Sequence, residues 1–173
     1  MPVSQARRSG SWRSGGIAEN RYHRAHPNVR KSSRDEDIHM HIDFWHDDRG
    51  VDVKGNNLPD EIWVEFKNVR GELGWLFGAA HWIAFDMPEL CGFVVVDRTE
   101  LRDWCKIHVD FTNFVKKSDA YKKCYRRKER LDMITRLVLA DLQLLDSYRV
   151  VPYCTSYSHP DGTVRWVSDD TIS

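Results

Sequence analysis

The chain is expected to fold as α/β, with a mixed β-sheet of about five or six strands flanked by helices. Three observations lead there. Apolar and polar residues alternate from His41 to Lys67, interrupted by turn-forming residues, which is the pattern of short half-buried strands. Trp82-Ile83-Ala84-Phe85 and Gly92-Phe93-Val94-Val95-Val96 are almost continuously apolar, as strands covered on both faces are. Helical stretches with recognisable starts or stops lie on either side of these runs. With 173 residues, 41% hydrophobic and 30% charged, the chain has material for one globular core and too little for two.

Taken in order, residues 1–16 are rich in Ser, Gly and Arg without periodicity and are expected as a flexible basic tail. A single domain is expected over 17–155, and a hairpin or tail over 156–173 around Pro160-Asp161-Gly162. Within the domain, a short helix from Ile17 to about His26 is stopped by Pro27. Ser33 and Glu36 have the spacing of a capping box, so a helical turn leads towards His41. His41–His46, Val51–Lys54 and Ile62–Lys67 then alternate with period two, separated by Asp47-Asp48-Arg49-Gly50 and by Gly55–Asp60, and are expected as an antiparallel meander. Gly71–Ala80 has apolar residues at helical spacing, and Thr99–Cys105 is expected as a capped helix. Ser118–Arg130 is open between a basic helix and an exposed loop. Ile134–Leu139 is expected as a strand, Ala140–Leu145 as a short helix and Val150–Tyr153 as a last strand.

The formal net charge is zero, so attraction to a polyanion has to come from local patches. Residues 1–33 carry seven Arg and Lys against Glu19 alone, and residues 116–130 carry eight against Asp119 and Glu129. The balancing acids gather between them, from Asp35 to Glu65. Acids at the centre with bases on both flanks suit a cation site approached by nucleic acid, although a solvated surface with chance clustering gives the same count. Lys116, Lys117, Lys122, Lys123, Arg126 and Arg127 are the candidate phosphate contacts. Cys91, Cys105, Cys124 and Cys154 form no CxxC pair, so a reducing, cytoplasmic setting is expected. No run of about 18 apolar residues suggests a membrane span, and no apolar segment follows the N-terminal arginines as in a secretory signal. His39, His41 and Asp43 alternate, but no further ligand at metal-site spacing accompanies them, so zinc is not favoured. The Trp63, Trp75 and Trp82 series is expected to be mostly core.

A hairpin centred between Leu58 and Pro59 sets Asp52 directly opposite Glu65 on one sheet face. Period two adds Lys67 and Lys54 to that face and turns Val51, Val53, Val64 and Phe66 into the core. Two facing carboxylates repel unless a cation neutralises them, and Mg²⁺ takes one or two carboxylates and fills its octahedron with water and phosphate oxygens. An ammonium at Lys67 would hold the attacking water and offset phosphate charge. The competing reading is a solvent-facing ladder of salt bridges, each worth little.

Asp52 followed by Glu65-Phe66-Lys67, and then by a helix and the strand at Trp82–Phe85, resembles the PD-(D/E)xK nuclease superfamily, whose restriction-endonuclease-like core is a helix, three antiparallel strands, a helix and a strand. Val51–Asp97 also resembles small phage-encoded proteins related to that superfamily, through its VDVK segment and the Glu65–Phe85 segment. The resemblance spans roughly residues 36–105. It implies metal ligation (Mg²⁺ or Mn²⁺) by Asp52 and Glu65 and catalysis by Lys67. It leaves the acid of the first helix open between Glu19 and Glu36, and no proline precedes Asp52. A second register takes Asp43 as the first acid and Asp52-Val53-Lys54 as the (D/E)xK triplet. It ranks lower because the expected helix and strand follow Lys67 instead.

The function expected from this reading is hydrolysis of phosphodiester bonds in nucleic acid, with DNA as partner, a homodimer where two strands are cut, and Asp43, Lys54 and Glu36 as auxiliary residues. The alternative is a non-catalytic nucleic-acid-binding or phage interaction protein that keeps the nuclease fold.

Overall fold

The computed structural model describes residues 4–55, 58–153, 155–158 and 164–167, with side chains described for 15–55 and 58–153. Two sheets account for the mixed α/β architecture. The strands β1 (Arg30–Lys31), β2 (Phe44–His46), β3 (Arg49–Gly55), β5 (Trp82–Met87), β6 (Gly92–Asp97) and β10 (Arg149–Pro152) form the larger one, side by side in that order. The smaller sheet runs β4 (Glu61–Lys67), β9 (Met133–Val138), β8 (Lys123–Tyr125), β7 (Asp110–Val115). A separate antiparallel pair, β11 (Thr155–Ser158) with β12 (Val164–Val167), supplies the expected C-terminal hairpin; Pro160-Asp161-Gly162 lies outside the described residues.

Alternation sorts the apolar residues onto two cores. The helix α1 (Ser4–Ala25) lays Ala18, Tyr22 and Ala25, one helical face, against Phe44, Val51, Val53, Ala84, Phe93 and Val95 on the outer side of the large sheet. Ile83, Phe85, Met87, Val94 and Val96 point the other way, onto Ile62, Val64 and Phe66 of β4, Leu137 of β9, and Leu101 and Cys105 of α2 (Arg98–His108). The second core is therefore sandwiched between the sheets. Each of these side chains is almost fully buried, and burial of one such side chain contributes about 1.5–3 kcal/mol.

Several local expectations hold. Ser33 and Glu36 exchange the reciprocal bonds of a capping box, at 2.7 and 3.3 Å, ahead of a wide helical turn at Glu36–Met40. Asp47 and Asp48 close the β2–β3 hairpin, with Asp47 in the left-handed region at φ 52°. α2 starts one residue earlier than expected because the Asp97 side chain caps the Glu100 N–H at 2.8 Å.

Other expectations are corrected. α1 already begins at Ser4, inside the segment whose composition suggested a tail. His41 lies at φ 54°, outside any strand, so His39, His41 and Asp43 do not share a strand face. Gly71–Ala80 forms a single 3₁₀ turn at Trp75–Phe77 rather than a helix. Residues 118–130 hold neither a basic helix nor one loop but a turn and the strand β8. Trp75 is core, whereas Trp63 and Trp82 are only half-buried. Among the described residues, no helix is long and apolar enough to cross a membrane.

The largest correction concerns the meander. β3 pairs antiparallel with β2 and parallel with β5, while β4 leaves for the small sheet and pairs antiparallel with β9. Parallel neighbours need a long crossover. The stretch from Gly55 to Trp82 provides it, and β4 belongs to that crossover.

Candidate metal and catalytic site

The β2–β3 register pairs Phe44 with Val51 and Trp45 with Gly50, so the next position outward sets Asp43 opposite Asp52. The ladder gives way there: the Asp43 N–H still donates to the Val51 carbonyl at 2.8 Å, but the Val53 N–H donates to Asp43 Oδ2 at 2.7 Å. The Asp43 carboxylate is thereby held against β3. Asp52 and Lys54 alternate with Val51 and Val53 and share a sheet face with Ile83 and Phe85, their partners on β5, so they point between the sheets.

Lys54 Nζ lies 2.6 Å from Asp52 Oδ1 and 5.3 Å from the Trp75 ring centre. Asp52 is 2% exposed, and its second oxygen, Oδ2, is buried without an N–H donor. Burial pushes the Asp52 carboxyl upward, against the pull of Lys54. Burial, followed by the nearby Asp52 charge, pushes Asp43 up to about 7. Burial works against the Lys54 charge, but Asp52, Asp43 and Glu65 outweigh it and hold the ammonium above its ordinary value. A buried carboxylate at Asp52 is thus crowded by a half-buried acid, Asp43, which hydrogen-bonds to it, and by the half-buried Lys54 ammonium.

These groups open onto a cleft of about 310 Å³ lined by Glu19 of α1, Asp37, His41, Asp43, Asp52 and Lys54. Glu19, raised by burial and then by Asp43, is 3.4 Å from Lys31. Burial and the neighbouring Lys54 charge both lower His41, favouring the neutral ring. No three His, Cys, Asp or Glu side chains among the described residues stand as a complete ligand set. Mg²⁺ does not require one, because it is commonly held by one or two carboxylates with water and phosphate filling the remaining positions. The close Asp43–Asp52 pair and the buried Oδ2 without an N–H donor fit such an ion. A third acid, Glu19, lines the same cleft.

The sequence-predicted residues divide accordingly. Asp52 and Asp43 come together, and Lys54 is between them and Glu65. Glu65 is not opposite Asp52: it stands on the other sheet, opposite Ile134, and reaches the site only through Lys54, whose charge opposes the upward shift that burial imposes on it. The Glu65 carboxylate also accepts the backbone N–H of Trp75. This contact is possible because Gly74 passes so close to β4 that a Cβ there would sit 2.5 Å from the Glu65 carbonyl oxygen. Lys67 lies exposed beside a slip in the β4–β9 register and belongs to no site. Glu36 is taken up by Arg30, at 2.8 and 3.0 Å, and by Ser33, which hold it down at about 2, so it is neither the first-helix acid nor an auxiliary residue.

The basic candidates also separate. Lys116 and Lys123 are exposed, and Lys117 lies 5.8 Å over the Trp63 ring. Arg126 stacks 4.1 Å over Phe114. Lys122 is tied to the buried Asp141 at 2.7 Å, and Arg127 pairs with the fully buried Asp132. Those last two hold the fold together as much as they offer charge. The part played by Asp37 and His41 in lining the cleft had no sequence signal, because a left-handed residue folds them back over β3. Lys54 did have one: the Asp52-Val53-Lys54 triplet itself. Comparison of the chain with protein-family models, with curated proteins and with solved structures finds no match.

Proposed function

We propose that the protein is a metal-dependent nuclease that hydrolyses phosphodiester bonds in DNA through Asp43, Asp52 and Lys54. The observation that carries this reading is the buried Asp52 carboxylate set against a second carboxyl at Asp43, with no N–H donor on Asp52 Oδ2. It supports the lower-ranked register, in which Asp43 supplies the first acid and Asp52-Val53-Lys54 the (D/E)xK triplet. Glu19 on the helix preceding these strands then takes the place of the first-helix acid.

In this reading Asp43 and Asp52 hold Mg²⁺ or Mn²⁺, with Glu19 within reach of the same cleft. The ion, when bound, would supply Lewis-acid polarisation of the phosphate and a more acidic water. Lys54, fixed by Asp52 and kept protonated by the surrounding acids, orients the water nucleophile and offsets charge on the phosphate oxygens. Val51 and Val53, packed under α1, hold the strand and therefore these side chains rigid. Lys117 and its basic neighbours receive the flanking phosphates. A cytoplasmic setting and a homodimer that cuts both strands accord with this role.

A non-catalytic nucleic-acid-binding or phage interaction protein is the second reading. It is favoured by the ability of the cluster to neutralise itself, with Lys54 on Asp52 and a proton on Asp43. Plasmid nicking in Mg²⁺, Mn²⁺ or EDTA, run on the wild type and on Asp52→Asn, separates the two. Metal-dependent nicking that vanishes in the variant supports the enzyme. Intact plasmid under every metal condition, from a protein that still binds DNA, leaves the second reading.

A further inference from the structure

A second cleft, of about 300 Å³, opens on the small sheet and is lined by Trp63 and Glu65 of β4, Trp75, Lys117, Tyr125 and Arg127. Trp75 is part of the core, but Trp63 and Tyr125 are half-exposed, with ring centres 6.1 Å apart and planes tilted by 59°, so they are not stacked on each other. Trp63 and Lys117 also line a third cleft, whose wall includes Lys54 and Gly55 of the catalytic cleft. The three clefts are therefore neighbours, the first and third sharing Lys54 and Gly55 and the third and second sharing Trp63 and Lys117.

We propose that this cleft takes an unstacked base of single-stranded DNA adjoining the scissile phosphate, stacked on the Trp63 face with the tilted Tyr125 ring against its edge, and with Lys117 and Arg127 on its phosphates. The inference rests on the nuclease reading for its link to a scissile phosphate and extends that reading to the kind of strand recognised. Aromatic faces interleaved with cations are what single strands require, since every exposed base has a π-face and every linkage a charge. Duplex DNA does not satisfy the cleft, because its bases are stacked on both sides and must leave the helix to enter such a space. The volume is at the small end for ligand pockets and suits one base. Glu65 adds an acceptor for an exocyclic amine or ring N–H, beside the Trp75 backbone N–H that orients its carboxylate.

The test is fluorescence anisotropy of the full-length chain with a labelled single-stranded oligonucleotide, in EDTA so that hydrolysis plays no part. Tyr125→Ala and Trp63→Leu are expected to weaken binding about tenfold, while Tyr125→Phe and Trp63→Phe retain it. On the wild-type protein, an abasic residue walked along the oligonucleotide is expected to weaken binding by a similar factor at one position only. Equal binding at every abasic position, with loss only in Lys117→Ala, overturns the inference and leaves a surface of charge alone. That outcome is independent of the nuclease reading, which stands or falls on metal-dependent nicking and Asp52→Asn. A stacking signature without nicking would keep the base site and remove the enzyme.

Discussion

β3 and β4 carry nearly the same message in sequence, Val51-Asp52-Val53-Lys54 against Val64-Glu65-Phe66-Lys67, and the fold uses them differently. In both, the apolar residues are buried and the acid and lysine share a face. β3 lies inside the six-stranded sheet, flanked by β2 and β5, and its charged face meets the other sheet. β4 is the edge of the smaller sheet, and its lysine ends in solvent beside a register slip. An acid-x-lysine triplet therefore says little by itself. Where the strand sits decides whether the charges are screened by water, as at Lys67, or drawn together around a buried carboxylate, as at Asp52.

If that difference governs function, the sharpest contrast is in turnover. Asp52→Asn and Asp43→Asn are each expected to lower Mg²⁺-dependent nicking by at least about a thousandfold, the loss of about 4 kcal/mol of transition-state stabilisation. Lys54→Met should fall nearly as far. Glu65→Gln is expected within about tenfold of wild type, and Lys67→Ala within about twofold. A Lys67 variant as inactive as the Asp52 variant would return the site to β4 and break the comparison.

The same contrast predicts stability. In metal-free protein Lys54→Met leaves the buried Asp52 carboxylate facing the half-buried Asp43 carboxylate, at a cost of about 3 kcal/mol in urea unfolding at pH 8. Lys67→Met should stay within about 0.5 kcal/mol. Combining Lys54→Met with Asp52→Asn should recover much of the loss, since the charge left unpaired is then gone. Somewhat smaller is the effect of the ion. Mn²⁺ at about a hundred times its dissociation constant should add about 2.7 kcal/mol to wild type, seen as a rise in Tm. Asp43→Asn and Asp52→Asn should lose that rise and Glu65→Gln should keep it; a rise that survives in all three would place the ion elsewhere.

Much of the local structure was legible because it depends on near neighbours. Pro27 stops α1 two residues after its end, Ser33 finds Glu36, Asp47-Asp48 turns β2 into β3, and period two correctly buried Val51, Val53, Val64 and Phe66. Partnership between strands was not legible, since alternation states which face of a strand is apolar and not which strand lies beside it. β4 follows β3 closely in sequence and would make an ordinary hairpin with it, but Glu61 pairs instead with Val138, far along the chain. That one choice moved Asp52 from Glu65 to Asp43 and replaced Lys67 by Lys54. The Asp43 register is visible in the sequence, and it ranks second there because the expected helix and strand follow Lys67; the pairing of β4 with β9 reverses that order.

The weakest expected effect belongs to the acid that the fold sets aside. Glu36 is half-buried at the surface, and Arg30 and Ser33 hold its carboxyl down at about 2, below the usual carboxylate range. A carboxyl depressed in the folded state contributes stability that is complete above its ordinary value near 4.5 and fades as pH falls towards 2. Glu36→Gln should therefore be slightly less stable than wild type at pH 6, and the two unfolding curves should converge by about pH 2. The partners are exposed, so salt should shrink the gap. Nicking activity should not change, because Glu36 spends its charge on Arg30 and the Ser33 N–H, away from the Asp43–Asp52 pair. A Glu36→Gln protein with stability unchanged but cleavage lost would mean that this acid, and not Glu19, completes the metal site.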